Sequence, residues 1–249
     1  MKKTPSSRLD LRLVELGLAE TRAKAQALIM AGSVLVEGEV RDKPGTRVKE
    51  SAAVALKERT KYVSRGGLKL EGALDALGID PAGKICLDVG ASTGGFSDCL
   101  LQRGAARVYA VDVGKGLLAL KLAQDARVKV MDEVNARYLA PEQVPEPIAL
   151  AVMDLSFISL SLVLPAVVRL LQQDAILLPL VKPQFEAGRA QVGKGGVVRD
   201  PDVQKACVDK IAKVAAGLGF HEIARLASPL KGPKGNQEFF LHLAPKAKE

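Results

Sequence analysis

Apolar residues recur along this chain in two rhythms, and the change of rhythm divides it. In "SSRLDLRLVELGL" Leu9, Leu13 and Leu16 fall on one face of a helix that Ser6 or Ser7 would cap. "ETRAKAQALIMAG" keeps the period, with Thr21 as predicted N-cap and Gly32 as the stop. Ala25, Leu28 and Ile29 form its inward face, and Arg22, Lys24 and Gln26 point outward. "SVLVEGEV" and "TRVKESAAVAL" then alternate as short strands around "RDKPG". From residue 84 the pattern changes to longer apolar runs, "KICLDVG", "RVYAVDVG", "VKVMD", "IALAVMDLS" and "AILLPLVKP", separated by helical stretches. Asp200-Pro201 opens one of these helices, with Asp as cap and Pro at its first position. "FHEIARLASPL" and "EFFLHLAP" close the sheet as an antiparallel edge pair. Strand–helix alternation predicts an α/β fold, a doubly wound and mostly parallel sheet that binds ligands at the carboxyl ends of its strands. The expected organisation is a small α+β unit over 1–60, a linker over 61–67 and a large domain over 68–249. "SRGG" reads as a flexible hinge, and a helix starts near Leu68.

Composition narrows the class. A chain of 249 residues, 48% hydrophobic, is long enough for one large core and a small one. Its three cysteines, Cys86, Cys99 and Cys207, lack metal spacing, which predicts a reducing compartment and no structural metal. "MKKTPSSRLDLRL" carries no apolar region of a signal peptide. Ala149 to Leu171 is long enough to span a bilayer, but Asp154, Ser156, Ser159 and Pro165 interrupt it. An unpaired carboxylate at that depth costs about 3 kcal/mol, so a buried strand followed by a core helix is expected and no membrane association. The expectation is a cytoplasmic protein. Residues 1–65 carry 14 Lys/Arg against 8 Asp/Glu, and residues 66–249 carry 22 against 20. Most of the net +8 therefore sits in the first quarter of the chain, as suits an arm that grips a polyanion.

The turn in "LDVGASTGGFSDCLL" holds the candidate chemistry. A Walker A loop needs Lys-Ser/Thr after its last glycine, and none is present. A dinucleotide fingerprint needs a glycine where Ser92 stands. A strand ending in Asp88, then Gly90, Ser92, Gly94, Gly95 and Phe96, suits S-adenosylmethionine, which carries cationic groups and no phosphate. Asp112, beside Val113 at the end of the next strand, is placed to accept ribose hydroxyls. Asp132 ends the third strand, where adenine recognition is expected. Asp154 and Lys182 end the next two strands, and Glu238 begins the last, so their chemistry converges on one crevice. Lys182 follows the apolar run "AILLPLV"; where water is scarce an amine gives up its charge more readily and can take a proton from a ribose 2′-hydroxyl. Phe96 and Phe157 are more readily core residues than stacking platforms.

Two resemblances extend this reading. Residues 6–60 resemble the S4-like RNA-binding domain through "RLDLRLVELGL", "TRAKAQALIMAGSVLVEGEV" and "KPGTRV", with Glu37 where an asparagine is common before Gly38. That resemblance implies phosphate contacts from Arg8, Arg22, Lys24 and Lys43. Arg65 of the hinge and Arg189 of the basic loop "EAGRAQVGKGGVVRD", read as a mobile lid with Lys194 and Arg199, extend the RNA-contacting set. "SRGGLKL", "LDVGASTGGFSDCLL", "VMDLSFISL", "LVKPQFE", "GGVVRDP" and "GNQEFFLHL" resemble the TlyA family, also labelled haemolysin A, over nearly the whole chain. The family joins an S4-like domain to an FtsJ-like, Rossmann-like methyltransferase domain. It implies S-adenosylmethionine-dependent 2′-O-methylation of cytidine in ribosomal RNA (23S, with 16S left open), with ribosomal subunits as partners. It also implies a Lys-Asp-Lys-Glu set at Lys69, Asp154, Lys182 and Glu238; by spacing alone Lys69 is an ordinary helix lysine. "DEVN" at Asp132–Asn135 departs from the family's Glu-Arg-Thr-Asn by lacking the arginine. Two readings from other classes stand beside this one: a haemolysin-like membrane-active protein, and an RNA-binding protein with an inactive methyltransferase domain.

Overall fold

A computed structural model describes residues 6–57 and 61–246. They fall into two units, Met1–Thr60 and Lys61–Glu249. The expected boundary at residue 60 and the amino-terminal lysines lie outside the described residues.

In the small unit, helix α1 (Leu9–Glu15) has no serine cap. Ser6–Arg8 is instead a strand, β1, paired antiparallel with β4 (Arg47–Lys49). The loop before β4 does the cap's work: Thr46 O accepts from Leu9 N at 2.8 Å and Pro44 O from Asp10 N at 3.2 Å. Leu9 and Leu13 are buried as expected, whereas Leu16 lies past the helix end and is 42% exposed. Helix α2 (Arg22–Met30) matches its signals: Thr21 Oγ1 accepts from Lys24 N at 3.2 Å, and Gly32 takes a left-handed φ of +66°. Arg22 and Gln26, expected to point away, instead donate to the buried carboxylate of Asp10, at 3.0 and 2.9 Å. "SVLVEGEV" is a hairpin of β2 (Val34–Val36) and β3 (Glu39–Val40). Its turn residues Glu37 and Gly38 have φ of +52° and +80°, the left-handed pair that a two-residue hairpin demands. The Glu37 carboxylate accepts from Ala53 N at 2.9 Å, which offsets the strain that an asparagine would avoid. "TRVKESAAVAL" divides likewise into β4 and β5 (Val54–Leu56), the latter pairing with β2.

The large unit is built on seven strands: β6 (Ile85–Val89), β7 (Arg107–Val111), β8 (Val128–Met131), β9 (Ile148–Met153), β10 (Leu171–Val181), β11 (Phe220–Ala227) and β12 (Phe239–Pro245). Their order is β11-β12-β10-β9-β6-β7-β8. The five strands from β10 to β8 are parallel, and β12 lies antiparallel between β10 and β11. Central strands buried on both faces need continuous apolar runs, and this explains the change of rhythm in the sequence. Alternate residues serve opposite faces. Leu87, Val89, Ala151, Met153, Leu177 and Val181 pack under α6 (Leu164–Val167) and α8 (Pro201–Gly217). Cys86, Leu150, Val152, Leu178 and Leu180 pack under α3 (Gly66–Leu77) and α4 (Gly95–Gln102). Asp200 caps α8 by accepting from Asp202 N at 2.9 Å. The short helices α5 (Leu120–Ala123) and α7 (Pro183–Glu186) complete the unit. Among the described residues no helix is long and apolar enough to cross a membrane.

"SRGG" is not the hinge its glycines suggest: Gly66 and Gly67 open α3. Gly67 is required by packing, since a Cβ there would lie 2.3 Å from Cγ of the buried Tyr62. Strand order reverses between β6 and β9, and the carboxyl ends of these two strands open the crevice that such a reversal creates.

Candidate active site

At that crevice Gly90 turns the chain sharply, with φ +87°. Its Cβ, if present, would lie 2.9 Å from Asp154 O, so only glycine lets the turn pass the start of the loop after β9. Asp154 N donates to Val89 O at 3.0 Å and holds the two segments together. Gly94, with φ +95°, delivers the chain into α4. A cleft of about 290 Å³ results, lined by backbone of Gly90–Ser92 and by Lys69, Asp154, Ser156 and Lys182. Ser64 and Arg65 line its other side. They are brought there by Val63, whose N–H donates to the buried Asp98 carboxylate on α4 at 2.8 Å.

Two ion pairs stand at this cleft. Lys182 Nζ lies 2.7 Å from Asp154 Oδ1, and its aligned hydrogen bond goes to Ser156 Oγ at 3.0 Å. Oδ1 itself lacks a hydrogen bond of good geometry, so this contact is a charge pairing and not a directed bond. Lys69 Nζ donates to Glu238 Oε2 at 2.5 Å, and Glu238 is only 1% exposed. Glu238 and Lys182 also share a second cavity of about 470 Å³ with Phe157 and Phe185. Lys69, remote from the other three in the sequence, is placed by the second turn of α3, with its side chain 10% exposed.

A third groove begins at Gly90, Ser92 and Asp154 and runs between Asp112 and apolar walls that include Val113, Leu117, Val134 and Ile158. Asp112 Oδ2 accepts from Ser92 N and Oδ1 from Gly114 N, each at 2.8 Å. These bonds fix the carboxylate and leave each oxygen with a free lone pair.

The model for the FtsJ-like methyltransferase family matches residues 62–244, and that for the S4 domain matches residues 7–54. The chain belongs to the FtsJ-like methyltransferase family. It is similar to the 16S/23S rRNA (cytidine-2′-O)-methyltransferase TlyA of Mycobacterium tuberculosis (strain CDC 1551 / Oshkosh), at 51% identity over 95% of this chain and 89% of that one. A solved structure from Streptococcus thermophilus, described as a candidate hemolysin, superposes with a TM-score of 0.75. It is 42% identical and covers 99% of this chain and 90% of its own. An S-adenosylmethionine-dependent methyltransferase from Mesorhizobium loti shares the fold, with a TM-score of 0.52 at 14% identity over 72% of this chain and 98% of its own.

The FtsJ-like unit treats the three strand-end aspartates differently. Asp112 lines the third groove. Asp132 is tied to the neighbouring loop, accepting from Gly116 N at 2.7 Å. Asp88 is the next-to-last residue of β6, on the face of Cys86, so its side chain turns under α4 and is fully buried. Its Oδ2 accepts from Ser97 N at 2.9 Å and Ser97 Oγ at 2.7 Å, while Oδ1 is buried without a partner. Burial pushes its carboxyl up to about 7; Ser97 opposes the shift and the charge of Asp154 adds to it. Gly94 and Gly95 shape the turn, and a Cβ on Gly95 would meet Ser64 Oγ at 2.2 Å. Phe96 is a core residue, as expected, stacked on Phe240 at 6.1 Å. Phe157 is not: it is 92% exposed, with φ +63°, and its ring stands 5.1 Å from that of Phe185.

Ser156 was missed by sequence reasoning, since a serine two residues past an acidic strand end carries no signal of its own. The basic candidates are dispersed. Arg8 and Arg22 converge on Asp10, at 2.9 and 3.0 Å. Lys24 pairs with Glu20. Lys43 is exposed in a groove with Arg41, Arg47 and Lys49, which pattern reading had not singled out. Arg189 is exposed after α7, in a loop whose later part is anchored where Asn236 accepts from Val198 N and donates to Gly196 O, both at 2.9 Å.

Proposed function

We propose that this protein transfers a methyl group from S-adenosylmethionine to the ribose 2′-hydroxyl of a cytidine in ribosomal RNA. The observation that carries the reading is the lysine at the end of β10, held by Asp154 and Ser156 beside a glycine turn that bare backbone keeps open.

The residues present suit the methyl donor. The groove from Gly90 to Ile158 offers a carboxylate for ribose hydroxyls and apolar walls for a purine. Asp154 stands where this groove meets the cleft and suits a cationic group. Asp112 and Asp154 together make this groove hostile to a phosphate, which separates it from dinucleotide and triphosphate sites on related sheets. Bound there, the donor supplies a methyl group already activated by a positively charged sulfur.

The protein's own work is alignment and proton transfer. As the free amine, Lys182 Nζ takes the proton of the attacking hydroxyl, Asp154 then pairs with the ammonium that results, and Ser156 fixes its direction. Holding two reactants in line is worth up to about 7–11 kcal/mol in well-oriented systems, so placement counts for more than acid strength here. Lys69 lines the same cleft, its charge matched by Glu238 behind it. Phe157 at the rim offers an aromatic face to an unstacked base. Arg65 at the cleft mouth, Arg189 after α7, and Arg8, Arg22, Lys24 and Lys43 in the S4 domain supply phosphate contacts that position the RNA without reading it. The matched S4 domain and the rRNA-methylating relative support ribosomal RNA as substrate.

Incubating unmodified ribosomal subunits with methyl-labelled S-adenosylmethionine tests the reading. Wild type should label RNA, and Lys182→Ala should lose at least a hundredfold in rate. Equal label in both would remove the role of Lys182; no label on either subunit would remove the substrate.

A further inference from the structure

Between Asp154 and Leu160 the chain leaves β9, presents Ser156 to Lys182, passes through the strained, exposed Phe157 and returns to the sheet face. A phenylalanine at φ +63° is strained and persists only where both ends of its segment are fixed. The near end is fixed by Asp154 N on Val89 O. The far end is fixed by one carboxylate, Glu186. Its Oε1 accepts from Leu160 N at 2.7 Å, and its Oε2 from Ser159 Oγ at 2.6 Å. Glu186 is 7% exposed and ends α7, whose first residue directly follows Lys182. On its outer side Lys210 of α8 donates to Oε2 and to the backbone carbonyl of Glu186, both at 3.1 Å.

Two bridges therefore join the same pair of segments. Lys182 reaches across to Asp154 and Ser156, and four residues later Glu186 reaches across to Ser159 and Leu160. A single bridge lets the loop pivot about it; two fix its register against the strand that carries the lysine.

We propose that Glu186 is a positioning residue for the Lys182 site, a brace that holds the Asp154–Leu160 loop so that Ser156 and Asp154 meet the ammonium and Phe157 stays outside. The catalytic consequence rests on the function proposed above; the brace itself does not. Glu186 touches neither cleft-lining lysine, so its effect passes through the loop.

The test uses the full chain with Glu186→Ala, Glu186→Gln and Ser159→Ala. Glutamine keeps the brace, with Oε1 accepting from Leu160 N and Nε2 donating to Ser159 Oγ. It gives up only the charge opposite Lys210, whose side chain is 46% exposed and can be solvated. Hydrogen–deuterium exchange reads the loop without any activity, and label transfer to ribosomal subunits reads the site. With Glu186→Ala, amides of residues 155–160 should exchange at least tenfold faster while the central strands keep their protection. kcat should fall at least tenfold, with the Kd for S-adenosylhomocysteine changed less than threefold. Glu186→Gln should restore both readouts to within threefold of wild type. If Glu186→Ala does not fold, Ser159→Ala decides: faster exchange in 155–160 with a several-fold lower kcat supports the brace, and no change in exchange overturns it. Transfer by Glu186→Ala within twofold of wild type, or a glutamine variant as defective as alanine, also overturns it. A wild type that labels no RNA removes the proposed function, and the exchange measurement then decides the brace alone.

Discussion

Asp88 offers a sharp test of how this crevice handles charge. It is fully buried, its Oδ2 takes two donations from Ser97, and its Oδ1 has no partner. Burial raises its carboxyl from 3.8 to about 7. A group with a raised folded-state value binds its proton more tightly when folded. Its stabilising contribution is full below the unfolded value and is lost as pH rises through about 7. Between pH 8 and pH 5 two units of this linkage act, so acidification should add about 3 kcal/mol to the unfolding free energy. Asp88→Asn keeps an oxygen for Ser97 and abolishes the titration. The difference between wild type and this variant also cancels other groups, such as His242, whose depressed value works in the opposite direction. Urea unfolding followed by circular dichroism at pH 5, 6, 7 and 8 should give a difference that grows steadily toward acid. A difference constant to within 0.5 kcal/mol, or one that shrinks toward acid, would refute the reasoning, because Asp88 would then be ionised throughout.

Two further outcomes follow from packing around the cleft. Gly67→Ala would ordinarily gain about 1 kcal/mol in a helix, but the new Cβ overlaps Tyr62, so a loss of about 1–3 kcal/mol is expected in denaturant unfolding; a gain would contradict the packing. Lys69→Met leaves Glu238 buried without its cation and should cost about 3–5 kcal/mol, while adding Glu238→Leu should recover most of that; additive losses would show that the pair is not coupled.

The sequence announced what is local. The buried parallel strands show as unbroken apolar runs, and the Thr21 and Asp200 caps are visible because a cap and its partner lie within three residues. β1 was hidden because its partner is about forty residues away, and the loop before β4 replaces a serine cap that sequence alone favours. The glycines of "SRGG" look like flexibility and serve close packing against Tyr62 and Ser64. Asp88, Asp112 and Asp132 look alike as strand-end carboxylates, but Asp88 lies within β6 and is buried under α4, whereas Asp112 lies just past the end of β7 and lines the groove. Ser156 and Glu186 owe their places to contacts made 26 and 27 residues away, which leave no periodic trace.

The proposed chemistry makes one demand that separates it from every base methylation. A methyl on the ribose oxygen blocks the 2′-hydroxyl that alkali uses to cleave the RNA chain. Ribosomal RNA labelled by the wild-type protein should therefore, after complete alkaline hydrolysis, carry its label in an alkali-resistant dinucleotide whose first nucleoside is 2′-O-methylcytidine. Label recovered in mononucleotides would place the methyl on a base and contradict the account.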